Sequence, residues 1–181
     1  MITVTNIKTD EEAFFHIRDH LLTQKVRSIN ESEDCAYRGI SREDYDKLDT
    51  AAFQYASSLN HDNEDEDGIE IYDDYQIRDD YRLNHFHDYP QKYCAIGIIV
   101  ADEFYTSEME NNSVSDDLVQ MVIIKSNPNW QIDRNSIDLL NNLQEVHDRV
   151  HSERWEKDLD PDFWNFDNTG KFLGRKERYG L

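Results

Sequence analysis

Cysteine, basic residues and long apolar runs are all scarce in this sequence. Two cysteines in 181 residues are too few for a disulfide scaffold, and neither belongs to a CxxC pair of the kind that holds structural zinc. No apolar run approaches the roughly 20 residues of a membrane-spanning helix, and the N-terminal stretch lacks the basic and apolar regions of a secretory signal. We therefore expect a cytoplasmic protein with free thiols and no membrane segment.

The shortage of basic residues leaves a large negative charge. The chain has 19 Lys and Arg against 39 Asp and Glu, a formal net charge of −20 at pH 7. This charge repels nucleic acid and anionic membranes, so direct binding to either is not expected. It favours a basic protein surface, or cations, as the partner. The alternative is a charge that only keeps the protein soluble or reflects a salt-adapted proteome.

The longest nearly uncharged stretch is 93–105, YCAIGIIVADEFY. Within it, the block 94–100 is rich in residues that suit strands and too short for a typical globular helix, so we predict a buried strand there, at the centre of the core and ended by Asp102 and Glu103. A chain of 181 residues can bury such a core without disulfides or metals. We predict one domain over 1–181.

Apolar residues at helical spacing predict the longer helices. The first follows Thr9, which forms a capping box with Glu12, and should end near Gln24. The second should start at Ser41, after which apolar residues recur at steps of three and four as far as Leu59.

The C-terminal half continues this pattern. A third long helix is predicted over 133–151 and a short one over 155–159, followed by a turn at 168–170. Segment 115–124 begins like a helix and ends like a strand, and we favour a helix. Helices outnumber strands, so the predicted class is α+β, mainly helical with a small β-sheet.

The acidic stretch at 60–89 is not a simple charged tail. Residues 60–89 hold 11 acidic residues and two arginines, a net charge of −9, but they also hold five aromatic residues. A purely solvating acidic segment would lack these aromatic side chains. We therefore expect an ordered or conditionally ordered element.

Five short motifs follow one another along the chain: CAYRG at 35–39, CAIG at 94–97, DEFY at 102–105 followed by Met109-Glu110, LQEVHD at 143–148 and RYGL at 178–181. This order resembles a family of small phage and prophage proteins with CxYRG, CAxGxLIxDExY and LQxxHD motifs. The resemblance implies a phage or mobile-element context and transfers no activity. The chain departs from the family pattern by its extra residues 40–92, which we interpret as an acidic inserted arm of the single domain 1–181. This insertion suggests that its particular function lies in the arm.

A calcium loop is one chemical alternative within the arm. Asn63, Asp65, Asp67, Gly68 and Asp74 fall at the first, third, fifth, sixth and twelfth positions of an EF-hand count. However, the twelfth position is normally Glu, and the eighth, normally apolar, is a glutamate. The alternating sequence that follows does not predict an exiting helix.

A second alternative is a small thiol enzyme or metal-binding module that uses Cys94 and His147. Cys94, His147 and Asp148 would form a Cys-His-Asp set, although a cysteine in an apolar strand is more often an unreactive hydrophobe. The histidine candidates for a metal are the i, i+4 pairs His16/His20 and His147/His151 and the alternating pair His85/His87.

We favour a binding protein without a cofactor over an enzyme. Duplex DNA carries a negative charge about every 3.4 Å along each strand, and closely spaced carboxylates would imitate it in the basic channel of a nuclease. The predicted function is that of a phage-encoded DNA mimic, an anti-CRISPR or anti-restriction protein that inhibits a basic nucleic-acid-targeting enzyme in the host cytoplasm. Pairing into a homodimer would extend the acidic surface.

The binding residues predicted for this function are carboxylates and tyrosines of the arm. The carboxylates, as phosphate surrogates, are Asp62, Glu64, Asp65, Glu66, Asp67, Glu70, Asp73, Asp74, Asp79 and Asp80. The tyrosines, as packing contacts, are Tyr72, Tyr75 and Tyr81.

Overall fold

The computed structural model describes residues 6–30, 36–61, 74–110 and 112–176. Within these ranges the α-helices are α1 Asp10–Gln24, α2 Arg42–His61, α3 Asp74–His85, α4 Asp117–Ser126, α5 Arg134–Arg149 and α6 Trp155–Asp158. The strands are β1 Arg38–Gly39, β2 Lys92–Tyr93, β3 Trp164–Phe166 and β4 Phe172–Arg175. They form two antiparallel pairs, β1 with β2 and β3 with β4. The predicted class, α+β and mainly helical, is confirmed.

The helix boundaries follow the capping residues. The side chain of Thr9 accepts a hydrogen bond from the amide of Glu12 at 3.2 Å, as predicted, and α1 then starts at Asp10. The carboxylate of Glu12 accepts from the amide of Lys8 at 2.7 Å. Helix α5 has a full capping box between Asp133 and Ser136. The predicted helices near 9–24, 41–59, 115–124, 133–151 and 155–159 are all confirmed.

The main core lies between α1, α4, α5 and the irregular segment 94–101. Helix α1 contributes Phe14, which is fully buried and packs against the ring of Trp164 at 4.9 Å. Trp164 belongs to the β3–β4 hairpin, which the sequence analysis did not predict beyond its turn at 168–170. Gly170 occupies that turn with φ of 79°, a conformation that favours glycine.

The buried carboxylate of Asp10 joins the two ends of the chain. It accepts hydrogen bonds from the indole of Trp130 at 2.8 Å, the hydroxyl of Ser136 at 2.6 Å and the amide of Phe172 at 2.8 Å. Asp10 is only 4% exposed, so these three donors replace the water that a carboxylate requires. The N-terminus of α1 is thereby fixed to α5 and to the β3–β4 hairpin.

The prediction of a buried strand over 94–100 is wrong, although its place in the core is confirmed. Residues 94–96 and 99–101 are completely buried, but the backbone forms turns and a 3-10 helix over Gly97–Ile99. Part of this backbone bonds within the segment, as when the amide of Ile99 donates to the carbonyl of Ile96 at 3.0 Å. Side chains from elsewhere take the place of a neighbouring strand at other groups. The hydroxyl of Ser126 accepts from the amide of Ala101 at 3.0 Å, and the amide group of Asn127 donates to the carbonyl of Ile99 at 3.0 Å.

A second, smaller core supports the inserted arm. Ile29 and Ile40 bridge to one another and pack with Tyr45, Leu48 and Phe86, all of them buried. Helices α2 and α3 run in opposite directions, because Asp49 of α2 contacts Arg82 of α3 whereas the later Phe53 contacts the earlier Arg78. The arm is therefore a helical hairpin that is joined to the main body at one end.

Candidate functional site

Ion pairs to Asp49 fasten α3 against α2. The carboxylate of Asp49 accepts from Arg82 at 2.7 Å and from Arg78 at 3.2 Å, and Arg82 also pairs with Asp79. Burial opposes the charge on Arg82, but its carboxylate partners raise its pKa overall. The guanidinium of Arg78 lies 5.5 Å from the centre of the Phe53 ring. The two arginines of segment 60–89 are therefore engaged by carboxylates of the hairpin.

Five of the predicted binding residues lie on α3. Asp74 is its first residue, and Tyr75, Asp79 and Asp80 are exposed, with Tyr75 showing 76% of its surface to solvent. Tyr81 is half-buried and packs inside the hairpin, where its ring lies 5.0 Å from that of Tyr55. The structure therefore brings Tyr75, Asp79 and Asp80 to one outer face and uses Tyr81 as an internal contact.

The remaining predicted binding residues lie outside the part of the chain that the structure describes. They are Asp62, Glu64, Asp65, Glu66, Asp67, Glu70, Tyr72 and Asp73.

The candidate calcium ligands also lie outside the described residues, except for Asp74. The expectation that no helix would follow the loop is wrong, because α3 begins at Asp74. Helix α2 ends at His61, so two helices flank the segment that carries the EF-hand count. The departures at its eighth and twelfth positions remain.

A separate polar centre gathers residues of the sequence motifs. The carboxylate of Glu110 accepts from the amide of Tyr37 at 2.9 Å, the hydroxyl of Tyr105 at 2.6 Å and the amide of Arg38 at 3.3 Å. The guanidinium of Arg38 pairs with Asp102 at 2.9 Å and lies 4.2 Å from the centre of the Tyr105 ring. The CAYRG, DEFY and Met109-Glu110 motifs are thus joined through side chains.

An open cleft of about 530 Å³ adjoins this centre. One wall is the outer face of α5, where Asn141, Gln144, Glu145 and Asp148 recur at helical spacing. The carboxylate of Asp148 accepts from Gln144 and bonds to the Nδ1 atom of His147, each at 2.8 Å. This wall offers carboxylate and amide groups to a polar molecule. Sequence reasoning assigned Glu110, Gln144 and Asn141 no chemical role, and for Glu110 and Gln144 the only signal was their place in the motifs.

Cys94 is unsuited to nucleophilic catalysis. Its side chain is completely buried, and this burial raises the pKa of the thiol to about 12. The negative charge of Asp148 is one of the smaller causes of this raised pKa, so the carboxylate of the predicted Cys-His-Asp set opposes thiolate formation. His147 is also completely buried, and its ring stacks on Trp155 at 5.5 Å between centroids. This geometry favours a packing role for both side chains.

The described residues contain no group of three His, Cys, Asp or Glu side chains placed to hold a metal ion. His16 is exposed on α1, whereas His20 is half-buried and contacts the carbonyl of Tyr93 at 3.3 Å. His85 contacts the carboxylate of Asp88 at 2.8 Å. Each predicted histidine pair is therefore divided between different surroundings.

No helix among the described residues is long and apolar enough to span a bilayer. Comparison with protein-family models, with curated proteins and with solved structures finds no match to this chain.

Proposed function

We propose that this protein binds a basic, nucleic-acid-targeting enzyme of the host through its acidic arm and inhibits that enzyme by excluding nucleic acid. The observation that carries the proposal is the concentration of charge: 11 of the 39 acidic residues lie within 60–89, where only two arginines oppose them. The resemblance to phage proteins supplies the context in which a host nuclease, such as a CRISPR effector or a restriction enzyme, would be the target.

The hairpin geometry supports this proposal in two ways. Arg78 and Arg82 are paired with carboxylates of the hairpin, so they do little to oppose the remaining acids of the arm. Asp80 is exposed on the outer face of α3, and Asp79 keeps 60% of its side chain accessible although it pairs with Arg82. Carboxylates displayed in this way can engage the arginines and lysines that normally hold phosphates.

Inhibition would follow from competition for one surface. Binding of the arm in a positively charged channel releases counterions from both partners, as binding of DNA does. The affinity should therefore fall steeply with salt concentration, and DNA should displace the protein.

The test measures binding to two purified probes, a Cas9–guide complex and a type II restriction endonuclease, at several salt concentrations and with competing DNA. The arm variant carries Asp65→Asn, Asp67→Asn, Asp73→Asn and Asp74→Asn. The matched control carries Glu11→Gln, Glu103→Gln, Glu108→Gln and Glu156→Gln, which removes the same charge from exposed positions outside the arm.

We expect the arm variant to bind about tenfold more weakly, because four surface charge contacts of about 0.3–0.4 kcal/mol each amount to that factor. Its dependence on salt should also be shallower, while the control should stay within about twofold of the wild-type affinity. If the two variants bind with equal affinity and equal salt dependence, the charge of the arm serves only to keep the protein soluble. Failure of DNA to compete would exclude the mimic mechanism.

A further inference from the structure

Helix α3 has an outer face with both apolar and acidic side chains. None of its 12 residues is buried. Tyr75 and Leu83 expose 76% and 54% of their surfaces, although both are large apolar side chains. Because they are separated by eight residues, about two helical turns, they lie on the same side of α3.

The contacts of the inner face fix which side is outward. Arg78 and Arg82 reach Asp49 of α2, and Tyr81 packs against Tyr55. Exposed positions recur at 75–76, 79–80 and 83–84, which is the helical repeat of the opposite face. The exposure of Tyr75 and Leu83 is therefore a consequence of how α3 is held against α2.

Two acidic side chains border the apolar pair. Asp79 lies midway between Tyr75 and Leu83, and Asp80 lies beside it toward the polar edge of the face. A partner surface that covers Tyr75 and Leu83 must also meet these two carboxylates. Its complement is an apolar strip flanked by lysine or arginine side chains.

We propose that the outer face of α3 docks a basic amphipathic helix of the partner. Its apolar residues would cover Tyr75 and Leu83, and its basic residues would pair with Asp80 and with the accessible side of Asp79, which Arg82 also contacts. Tyr75 and Leu83 are about 12 Å apart along the axis, a distance that a partner helix spans in two turns. This inference rests on the proposed function and specifies which face of the arm meets the partner and what that partner presents.

A second copy of the chain is the competing occupant. Symmetric pairing through α3 would bring Asp79 and Asp80 of one copy toward the same residues of the other. Both proteins would carry a net charge of −20, so the pairing would be opposed locally and over the whole surface. Charge complementarity therefore favours a basic partner over self-association.

The experiment compares two synthetic 14-residue peptides of identical leucine and lysine content. One has leucines at helical spacing, and the other has the same residues in a scrambled, non-amphipathic order. Fluorescence anisotropy measures the binding of each peptide to the full chain. The test variant is Tyr75→Ala with Leu83→Ala, and the matched control is Met121→Ala with Ile124→Ala, which removes two exposed apolar side chains from α4.

We expect the wild-type chain to prefer the amphipathic peptide by about tenfold, the equivalent of burying roughly one apolar side chain. The test variant should lose this preference and the control should keep it. Equal affinity of the wild type for both peptides would overturn the inference, and so would a preference that survives in the test variant. A wild-type dimer that the test variant dissolves in sedimentation equilibrium would assign the face to a second copy and would overturn it too.

Failure of the proposed function gives a different result, because it is read from DNA competition for the nuclease probes. If the chain discriminates between the peptides but DNA fails to displace it from a nuclease, the docking face is supported and the mimic mechanism is refuted. If DNA displaces the chain from a nuclease but the chain does not discriminate between the peptides, only the charge mechanism is supported.

Discussion

Replacing Glu110 by alanine should destabilise the protein by about 3–5 kcal/mol. Its carboxylate accepts two short hydrogen bonds, from the amide of Tyr37 at 2.9 Å and the hydroxyl of Tyr105 at 2.6 Å, and a longer one from the amide of Arg38 at 3.3 Å. A hydrogen bond to a charged group is worth roughly 1.5–3 kcal/mol. Glu110 borders the open cleft, so water would recover part of the loss. The expected cost is a large share of a total stability of about 5–15 kcal/mol.

The assay is urea unfolding followed by tryptophan fluorescence, because Trp130, Trp155 and Trp164 are all buried and report on the main core. The free energy of unfolding is obtained by linear extrapolation to water. Glu110→Gln should fall between the wild type and Glu110→Ala, because it keeps the shape and one acceptor oxygen but loses the charge.

Glu145→Ala provides the control for this measurement. Glu145 lines the same cleft, is about half exposed and pairs with Arg149, whose side chain is 78% exposed. Exposed ion pairs of this kind contribute about 0–1 kcal/mol. If Glu110→Ala and Glu145→Ala shift the free energy of unfolding by similar small amounts, Glu110 does not organise the motif centre and this reasoning is wrong.

Four further predictions follow from single sites. Gly97→Ala should prevent stable folding, because the alanine Cβ would lie 1.8 Å from the carbonyl oxygen of Tyr37. Thermal unfolding followed by circular dichroism tests this, and a melting temperature close to that of the wild type would refute the close approach. Cys94 should resist iodoacetamide at pH 8 in the native state and react in urea, because burial raises its pKa to about 12; mass spectrometry showing native labelling at Cys94 would contradict this. Burial lowers the pKa of His20 below 6.5, so the unfolded chain takes up the proton first as the pH falls. The free energy of unfolding should therefore decrease as the pH drops from 6.5 toward the pKa of His20 in the folded protein. Urea unfolding at several pH values should show that His20→Gln lacks this part of the pH dependence. Calorimetry with calcium up to about 1 mM should show no stoichiometric binding, because the twelfth loop position is Asp74 in place of a bidentate glutamate; a one-to-one isotherm would establish the loop instead.

The long helices could be predicted because their determinants are local. Thr9 and Asp133 mark the starts of α1 and α5 by bonding to amides within three residues. Apolar side chains then recur at the spacing that faces one core, so a short window of sequence contains the whole signal. Helix α3 was not predicted, because most of its side chains are polar, none is buried, and ion pairs to Asp49 hold it in place.

The candidate surface was predictable in part. The net charge of −20 and its concentration in 60–89 are properties of the sequence alone, and they limit the class of partner. Which side chains point outward depends on the packing of α3. Tyr75 and Tyr81 looked equivalent in the sequence, but Tyr75 is 76% exposed whereas Tyr81 packs within the hairpin.

The sequence by itself determined the charge, the helical class and the identity of the buried central segment, since these depend on composition and short-range periodicity. Only the tertiary structure decided the conformation of that segment and the gathering of the motifs. Residues 94–101 turn back on themselves, because the amides of Ile98, Ile99 and Val100 bond within the segment. Ser126 and Asn127, far along the chain, bond to its remaining groups at Ala101 and Ile99. The carboxylate of Glu110 likewise meets the amide of Tyr37 across 73 positions. A buried polar backbone must find partners, but local sequence does not show which distant side chain will supply them.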